Sequence, residues 1–236
     1  MAIKEMRLGR SEIVPVGLGR SGPFRYGSFF IKPEMTLPYD DFPARDPIDV
    51  RAEYDASLIA KSLGVYTPSV TMAKIEIRDG QEKFSTLATV REWKEFKRFD
   101  TINELCIALP CVCHRIDMQY IMIVDFFLAN YDRRVTNLLY EESTDTLVPI
   151  DYDASFNFDK IPCNADGVKI IFSHFIENPV LSGMLDFNIL VFGEVYAYIK
   201  KRINYTLLNA IRPELVDRVV LAEDAFRAFF KQFRGM

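Results

Sequence analysis

The stretch from Ile121 to Phe156 constrains the fold of this chain more than any other part of its sequence. It begins with an apolar, helix-like segment that leads into a polar turn containing Asp132 and Asn137. Two short strand-like runs follow, and two further carboxylates, Asp151 and Asp153, come directly after the second run. The stretch therefore predicts a helix, a polar loop and a hairpin, with acidic or amide side chains at both ends of the hairpin.

The order of these polar side chains is typical of phosphoryl transfer. In kinases, an aspartate orients the attacking hydroxyl, and an asparagine and a second aspartate hold Mg²⁺. Mg²⁺ prefers oxygen ligands in octahedral geometry, which carboxylates, carboxamides and water supply. We therefore assign Asp132 to the hydroxyl, and we assign the metal to Asn137, Asp151 and Asp153. The alternative is a surface turn, since Asn and Asp are common turn formers.

A glycine-rich segment near the start of the chain is a candidate phosphate-binding loop. Its G-x-G-x-x-G pattern occurs in two unrelated nucleotide folds, and the dinucleotide-binding version requires a helix directly after the glycines. Here the following residues are aromatic and strand-like, which favours a hairpin whose backbone amides approach phosphates. An ordinary glycine-rich hairpin is the alternative. The candidate nucleotide-binding residues are Gly17, Gly19, Ser21, Gly22 and Phe24, with Phe24 as a cover for the adenine.

A lysine and a glutamate further along are predicted to form an ion pair. Lys32 ends a short apolar strand, and Glu53 lies beside the apolar face of a helix that Asp46 and Pro47 begin and Gly64 ends. Kinases hold the phosphate-contacting lysine with such a glutamate. The alternatives are a solvent-exposed lysine at the end of a strand and an ordinary exposed helix carboxylate.

The remaining segments indicate an α+β chain with two lobes. Strand-like residues 65–77 and 83–90 complete a small unit of sheet and helix, and the chain turns helical after Phe99. We predict a two-lobed, protein-kinase-like fold with a mainly β N-lobe at residues 1–92 and an α-rich C-lobe at residues 93–236. The expected helices of the C-lobe are 101–109, 113–128, 187–199 and 212–233.

Composition removes several other classes of function. A net charge of −4 gives no electrostatic reason to expect nucleic-acid binding. No apolar run reaches the roughly 18–20 residues of a membrane-spanning helix, and no signal peptide is expected at the charged start. The four cysteines and two histidines lack zinc-site spacing. We expect reduced thiols and a cytoplasmic location, while secretion or delivery into another cell stays open.

Four segments together resemble the HipA-like serine/threonine kinases, including the short forms without an N-terminal accessory region. Residues 130–137 (NYDRRVTN) resemble the family's N-x-D-R-H-x-x-N catalytic loop, which phosphoinositide kinases also echo. Residues 149–156 are similar to its P-x-x-D-x-G-x-S-L metal-binding segment. Residues 29–33 resemble the family's strand with the ATP lysine. Residues 51–54 resemble its glutamate helix, and residues 60–68 resemble the L-G-I-x-x-P pattern that follows it. The resemblance spans roughly Gly17 to Phe156.

The resemblance implies a kinase that uses ATP and Mg²⁺ and phosphorylates Ser or Thr of a protein. Its catalytic residues would be Lys32, Asp132 and Arg134, where Arg134 replaces the family histidine and suits phosphate geometry. The resemblance also suggests autophosphorylation of Ser21, which would inhibit because the added dianion repels the phosphates of ATP. Asp153 replaces a family glycine and adds negative charge beside the metal.

These two departures leave a nucleotide-binding pseudokinase scaffold as an alternative. A kinase of a lipid or small molecule is another, since ATP-binding residues do not determine the acceptor. For the metal, an extended segment would point Asp151 and Asp153 the same way. Alignment with the family's serine favours Asp151, which we expect within metal-bridging reach of Asn137, with Asp153 in a supporting or second-metal position.

Overall fold

The computed structural model describes residues 3–16, 22–42, 47–110, 112, 115–176 and 189–233. The chain forms two compact units. The sheet unit comprises Met1–Leu58 and Pro68–Glu95, and the helical unit comprises Ile59–Thr67 and Phe96–Met236. The α+β fold class predicted from the sequence is confirmed.

The sheet unit is built on a six-stranded sheet with the order β1-β5-β6-β4-β3-β2. Only β1 and β5 pair in parallel; the other neighbours among the described residues are antiparallel. Helix α1 (Val50–Leu63) begins in this unit, and its last residues group with the helical unit. The strands are β1 (Lys4–Gly9), β2 (Ile13–Pro15), β3 (Phe24–Tyr26), β4 (Phe29–Pro33), β5 (Thr71–Asp79) and β6 (Glu82–Glu92).

The long hairpin of β5 and β6 supplies much of the core of the sheet unit. Ile75 and Ile77 are two apart on β5 and both fully buried, so they share the face that packs inward. Gly80 makes the turn with a φ of +58°, which suits a residue without a side chain. The hairpin was predicted, although β5 begins later than expected, at Thr71.

The helical unit contains a second, two-stranded sheet and six helices among its described residues. Helix α3 is its central element, because Phe126 packs on Phe226 of α7 with ring centroids 4.9 Å apart, and Phe127 packs on Tyr196 of α5. The elements are α2 (Ile102–Ala108), α3 (Ile116–Leu128), β7 (Leu138–Glu141), β8 (Thr146–Pro149), α4 (Ala165–Ile176), α5 (Ile189–Arg202), α6 (Tyr205–Ile211) and α7 (Glu214–Phe233).

Helix α3 also holds the hairpin of β7 and β8. The Asp117 carboxylate, in its first turn, accepts a hydrogen bond from the Leu147 amide at 2.8 Å, near the start of β8. The far end of the hairpin is connected to α3 through Arg133, which binds both Asp125 of α3 and the Ile150 carbonyl. None of the helices in the described part of the chain has both the length and the apolarity of a membrane span.

Candidate active site

The sheet unit brings Lys32 and Glu53 together in its interior. Lys32 Nζ lies 3.5 Å from Glu53 Oε2, and the two residues are only 4% and 3% exposed. The Thr89 hydroxyl on β6, in register with Lys32, donates to the same Glu53 oxygen at 3.2 Å. The predicted ion pair is confirmed, and the alternative of a solvent-exposed lysine is wrong.

Burial of this pair follows from the residues around it. Side chains alternate across a strand, so Lys32 points away from the face that carries fully buried Ile31. Helix α1 presents the small Ala52 and Ala56 beside Glu53, and all three are buried. A buried charge costs several kcal/mol, by an order-of-magnitude estimate, unless a partner compensates it. The opposite charges of Lys32 and Glu53 therefore compensate each other inside the unit.

The candidate glycine loop is described only at its end. Gly17, Gly19 and Ser21 lie outside the described residues. Gly22 has a φ of +64°, which strains most residues with a side chain, and a Cβ there would crowd the Phe42 ring at 3.1 Å. Phe24 is fully buried and packs edge-to-face on Phe42, with centroids 6.2 Å apart. Phe24 is a core residue, and the prediction that it covers an adenine is wrong.

In the helical unit, the loop after α3 brings Asp132 and Asn137 together. Helix α3 ends at Leu128, and the left-handed conformation of the capping residue Ala129 (φ +50°) turns the chain out of the helix. The loop closes in a 3₁₀ turn at Val135–Asn137, where the Asn137 side-chain amide donates to the Asp132 carbonyl oxygen at 3.1 Å. The predicted spacing thus corresponds to a closed loop, with the Asn137 side chain oriented by the backbone of Asp132.

Arg134 contacts the Asp132 carboxylate directly. Arg134 Nε donates to Asp132 Oδ1 at 2.8 Å, while the two side chains are 61% and 15% exposed. An exposed ion pair of this kind contributes only about 0–1 kcal/mol, because water competes for both partners. The contact between Arg134 and Asp132 can therefore be exchanged at little cost.

A buried ion pair that the sequence interpretation missed lies beneath this loop. Arg133 donates from Nε and Nη2 to the two carboxylate oxygens of Asp125 at 2.7 and 2.9 Å, in a bidentate contact. The Asn130 side-chain amide donates to the same carboxylate at 3.0 Å. Burial lowers the pKa of Arg133, but the Asp125 charge and its hydrogen bonds outweigh this and raise the pKa, so the guanidinium stays charged.

Arg133 also reaches the ends of the hairpin. Its Nη1 donates to the carbonyl oxygen of Asn137 at 3.2 Å and to that of Ile150. The sequence does contain a signal for the ion pair of Arg133 and Asp125, because Asp125 is the one charged residue of the apolar run 121–128. Because a buried carboxylate requires a partner, Asp125 predicts a buried cation nearby, although not which one.

The two candidate metal carboxylates follow the hairpin directly. The Ile150 amide donates to the Asn137 carbonyl at 3.0 Å. Asp151 directly follows Ile150, so it lies one residue along the chain from this contact. Asp151 has a φ of +64°, and the prediction of an extended segment from Asp151 to Asp153 is therefore wrong. Asp153 does not need the backbone freedom of the family glycine, because the left-handed residues here are Asp151 and Phe156.

The donor chemistry of this segment fits a hard cation. Asn137, Asp151 and Asp153 offer one amide and two carboxylate side chains, and all three residues are half-buried. Mg²⁺ usually keeps several waters and takes one or two carboxylates together with phosphate oxygens. Among the described residues, no group of three or more His, Cys, Asp and Glu side chains could hold a metal by itself. A site here would thus need further oxygen ligands from a phosphate and from water.

The chain after these carboxylates returns to the end of α3. The Phe156 amide donates to the Leu128 carbonyl at 2.6 Å, which fixes the exit of the segment. Arg218 of α7, 5% exposed, donates to the carbonyls of Phe126 and Ile161 at 2.7 and 2.6 Å. The loop of residues 130–137, the hairpin and the returning segment therefore all depend on α3.

Comparison with known proteins identifies the fold. No protein-family model matches the chain, and no curated protein matches it in sequence. The crystal structure of CtkA, a proinflammatory kinase of Helicobacter pylori, matches with a TM-score of 0.50 and 12% identity, over 98% of this chain and 99% of that one. HipA of Shewanella oneidensis MR-1, in its complex with HipB and operator DNA, matches with a TM-score of 0.40 and 11% identity, over 95% of this chain and 65% of that one. On the likeness to CtkA, the chain has a kinase-like α+β fold.

Proposed function

We propose that the protein is an ATP-dependent kinase that transfers the γ-phosphoryl group to the hydroxyl of a protein serine or threonine. The observation that carries this proposal is the buried ion pair of Lys32 and Glu53 in a chain with a kinase-like fold. Kinases require this strand-to-helix pair to hold the phosphate-contacting lysine. Burial of both charges favours a functional role, because a hydrophobic pair of similar size would stabilise the unit as well or better.

Each remaining residue has a role in this proposal. Lys32 and the amides of Gly17, Gly19, Ser21 and Gly22 would hold the phosphates of ATP. Asn137 and Asp151 would hold Mg²⁺, with Asp153 in support, and the ion would neutralise charge on the phosphates when bound. Catalysis would come mainly from positioning and from charge neutralisation, in which Arg134 takes part.

The transfer step assigns Asp132 to the acceptor hydroxyl. The hydroxyl oxygen forms the new bond to the γ-phosphorus, the bond to the β-γ bridging oxygen breaks, and ADP leaves. The hydroxyl proton passes to a base, for which Asp132 is the candidate. Its contact with Arg134 at 2.8 Å has to be exchanged or shared when the acceptor arrives, and the exposure of Arg134 makes that exchange inexpensive.

The same contact favours a second candidate function, a nucleotide-binding pseudokinase. Arg134 neutralises the carboxylate that would accept the proton, and Asp153 adds a negative charge near the metal site. Thermal unfolding with ATP, with and without Mg²⁺, separates the two functions when it is paired with a transfer assay using labelled ATP. A kinase shows both a stabilisation and labelled product, and a pseudokinase shows the stabilisation alone.

The acceptor is tested in the same assay. Labelled ATP is offered with a protein mixture, with lipids and with small metabolites in separate reactions. Label on protein serine or threonine supports the proposal, and label confined to a lipid or a metabolite contradicts the assigned acceptor.

Autophosphorylation of Ser21 is a further prediction. Incubation with Mg-ATP should add one phosphate to the intact mass, and the product should bind ATP more weakly, because the dianion repels the phosphates of the nucleotide. Ser21→Ala is the matched control and should add none. An unchanged mass of the wild-type chain under these conditions contradicts the prediction.

A further inference from the structure

Arg133 joins the two residues on which the proposed metal site depends. Its Nη1 donates to the carbonyl of Asn137, a proposed ligand, and to that of Ile150, which directly precedes Asp151. We propose that Arg133 is a positioning residue that sets the relative placement of Asn137 and Asp151, and thereby the affinity of the site for Mg²⁺. This inference rests on the proposed function and deepens it.

The orientation of the guanidinium is set from the core. Asp125 is fully buried on α3, the most central helix of the unit, and it binds Nε and Nη2 of Arg133 together. The ring of Tyr152, also buried, lies 4.7 Å from the Arg133 Cζ. A planar guanidinium held on one edge directs its remaining nitrogen in one direction. Nη1 therefore reaches the two carbonyls from a fixed position.

These carbonyls are the natural points from which to control the ligands. The Asn137 carbonyl accepts from both Arg133 Nη1 and the Ile150 amide, so two donors meet at one oxygen. Asp151 follows in a left-handed conformation (φ +64°), in which its side-chain direction depends on how the preceding peptide is held. Release of Arg133 would remove one of the two donors to the Asn137 carbonyl and the donor to the Ile150 carbonyl, so the two ligand residues would be held less firmly relative to each other.

Magnesium is sensitive to such movement. It requires nearly ideal octahedral geometry with short bonds, so a small displacement of one ligand lowers its affinity. Groups that orient metal ligands commonly contribute about 10–100-fold in metal affinity. Lysine at position 133 would keep the charge opposite Asp125, but an ammonium cannot hold both carboxylate oxygens and both carbonyls in one plane.

The other end of the same hairpin supplies a matched control. Arg115 binds Asp117 at 2.9 Å and Asp145 at 2.8 Å, and so it holds the turn of β7 and β8 as Arg133 holds the open end. Arg115→Lys removes the same fork from the same hairpin, away from the proposed ligands. If a general loosening of the hairpin raised the Mg²⁺ requirement, Arg115→Lys would raise it as well.

The test measures binding of a fluorescent ATP analogue as Mg²⁺ is titrated, in the full chain and in the Arg133→Lys and Arg115→Lys variants. We expect Arg133→Lys to need about 10–100-fold more Mg²⁺ for half-maximal enhancement of binding, with metal-free binding of the analogue within about twofold of wild type. Saturating Mg²⁺ should restore full binding. Arg115→Lys should match the wild type in both measurements.

The possible outcomes test two separate claims, the positioning role of Arg133 and the proposed metal site. If Arg133→Lys has the Mg²⁺ requirement of the wild type, or if Arg115→Lys shifts it equally, the positioning role is overturned while the proposed function stands. If the wild-type chain binds the analogue without any effect of Mg²⁺, the proposed metal site itself is overturned. Circular dichroism checks folding. If Arg133→Lys fails to fold, Asp125→Asn replaces it in the test, because it keeps the shape of the Arg133 partner and removes its charge. The Mg²⁺ requirement of Asp125→Asn then decides the positioning role in the same way.

Discussion

Two buried ion pairs, one in each unit, are built in different ways. In the sheet unit, Lys32 and Glu53 meet at a single distance of 3.5 Å. In the helical unit, Arg133 and Asp125 make two bonds of 2.7 and 2.9 Å, and the same guanidinium binds two backbone carbonyls. The first pair is longer than a usual charge-assisted hydrogen bond and the second is within its range.

The difference separates a pair suited to a ligand from a pair suited to holding the chain. An ammonium is a compact charge with rotatable donors, and at 3.5 Å its contact with the glutamate can be traded for phosphate oxygens. The planar guanidinium of Arg133 is engaged on several sides at once. We therefore expect substitutions in the first pair to lower nucleotide binding and substitutions in the second pair to lower stability.

The largest expected effect is that of Arg133→Met. It leaves the buried Asp125 carboxylate without its cation, and breaking such a pair costs about 3–5 kcal/mol. Denaturant unfolding measures the loss. Lys32→Met, the counterpart in the sheet unit, should cost less, because the Glu53 carboxylate keeps its hydrogen bond from the Thr89 hydroxyl. Equal losses in the two variants would remove the distinction between the pairs.

How far this contrast could be foreseen from sequence depends on whether the two residues of a pair belong to a known functional pattern, and not on their distance along the chain. The sequence predicts Lys32 and Glu53 as partners because kinases hold a phosphate-contacting strand lysine with a helix glutamate, although the two residues lie well apart along the chain. Arg133 was noticed only as part of a loop pattern, since nothing in the sequence states which buried cation Asp125 requires. Which cation meets a buried carboxylate is determined by how the elements pack in the folded chain.

Two errors have similar causes. Phe24 was assigned to a nucleotide because it follows the glycines, but tertiary packing places it in the core against Phe42. The position after a strand predicts an extended segment from Asp151 to Asp153. Asp tolerates the left-handed region better than most residues, and Asp151 adopts it. The roles of the site residues in binding and transfer stay predictions.

The second prediction concerns Asp132, which belongs to neither buried pair. Asp132→Asn keeps the shape of the side chain and removes the base, so transfer should fall by about 100-fold or more. Affinity for ATP should stay within about threefold, because Asp132 is assigned to the acceptor and not to the metal. Turnover and nucleotide binding are measured in parallel. Near-normal turnover would refute the assignment of Asp132 as the base.

The third prediction tests the ligand-facing pair directly. Lys32→Met should weaken ATP binding or turnover about 10- to 100-fold, since a hydrogen bond to a charged group contributes about 1.5–3 kcal/mol. Glu53→Gln should have a smaller effect, because the amide can still accept from Lys32. Titration with a fluorescent ATP analogue compares the three proteins. Unchanged affinity and turnover in Lys32→Met would mean that the buried pair is structural, like that of Arg133.

The smallest expected effect distinguishes the two acidic residues after the hairpin. Asp153→Asn should leave transfer within about threefold of wild type, whereas Asp151→Asn, its matched control, should lose about as much as Asp132→Asn. Asp151 directly follows Ile150, whose amide and carbonyl are bonded to Asn137 and Arg133, so its position is defined from both sides. Asp153 lies two residues further on, beyond the left-handed turn. Transfer rates at several Mg²⁺ concentrations rank the two variants. The reverse ranking would assign the metal to Asp153, and it would also weaken the case that Arg133 controls the site through Ile150.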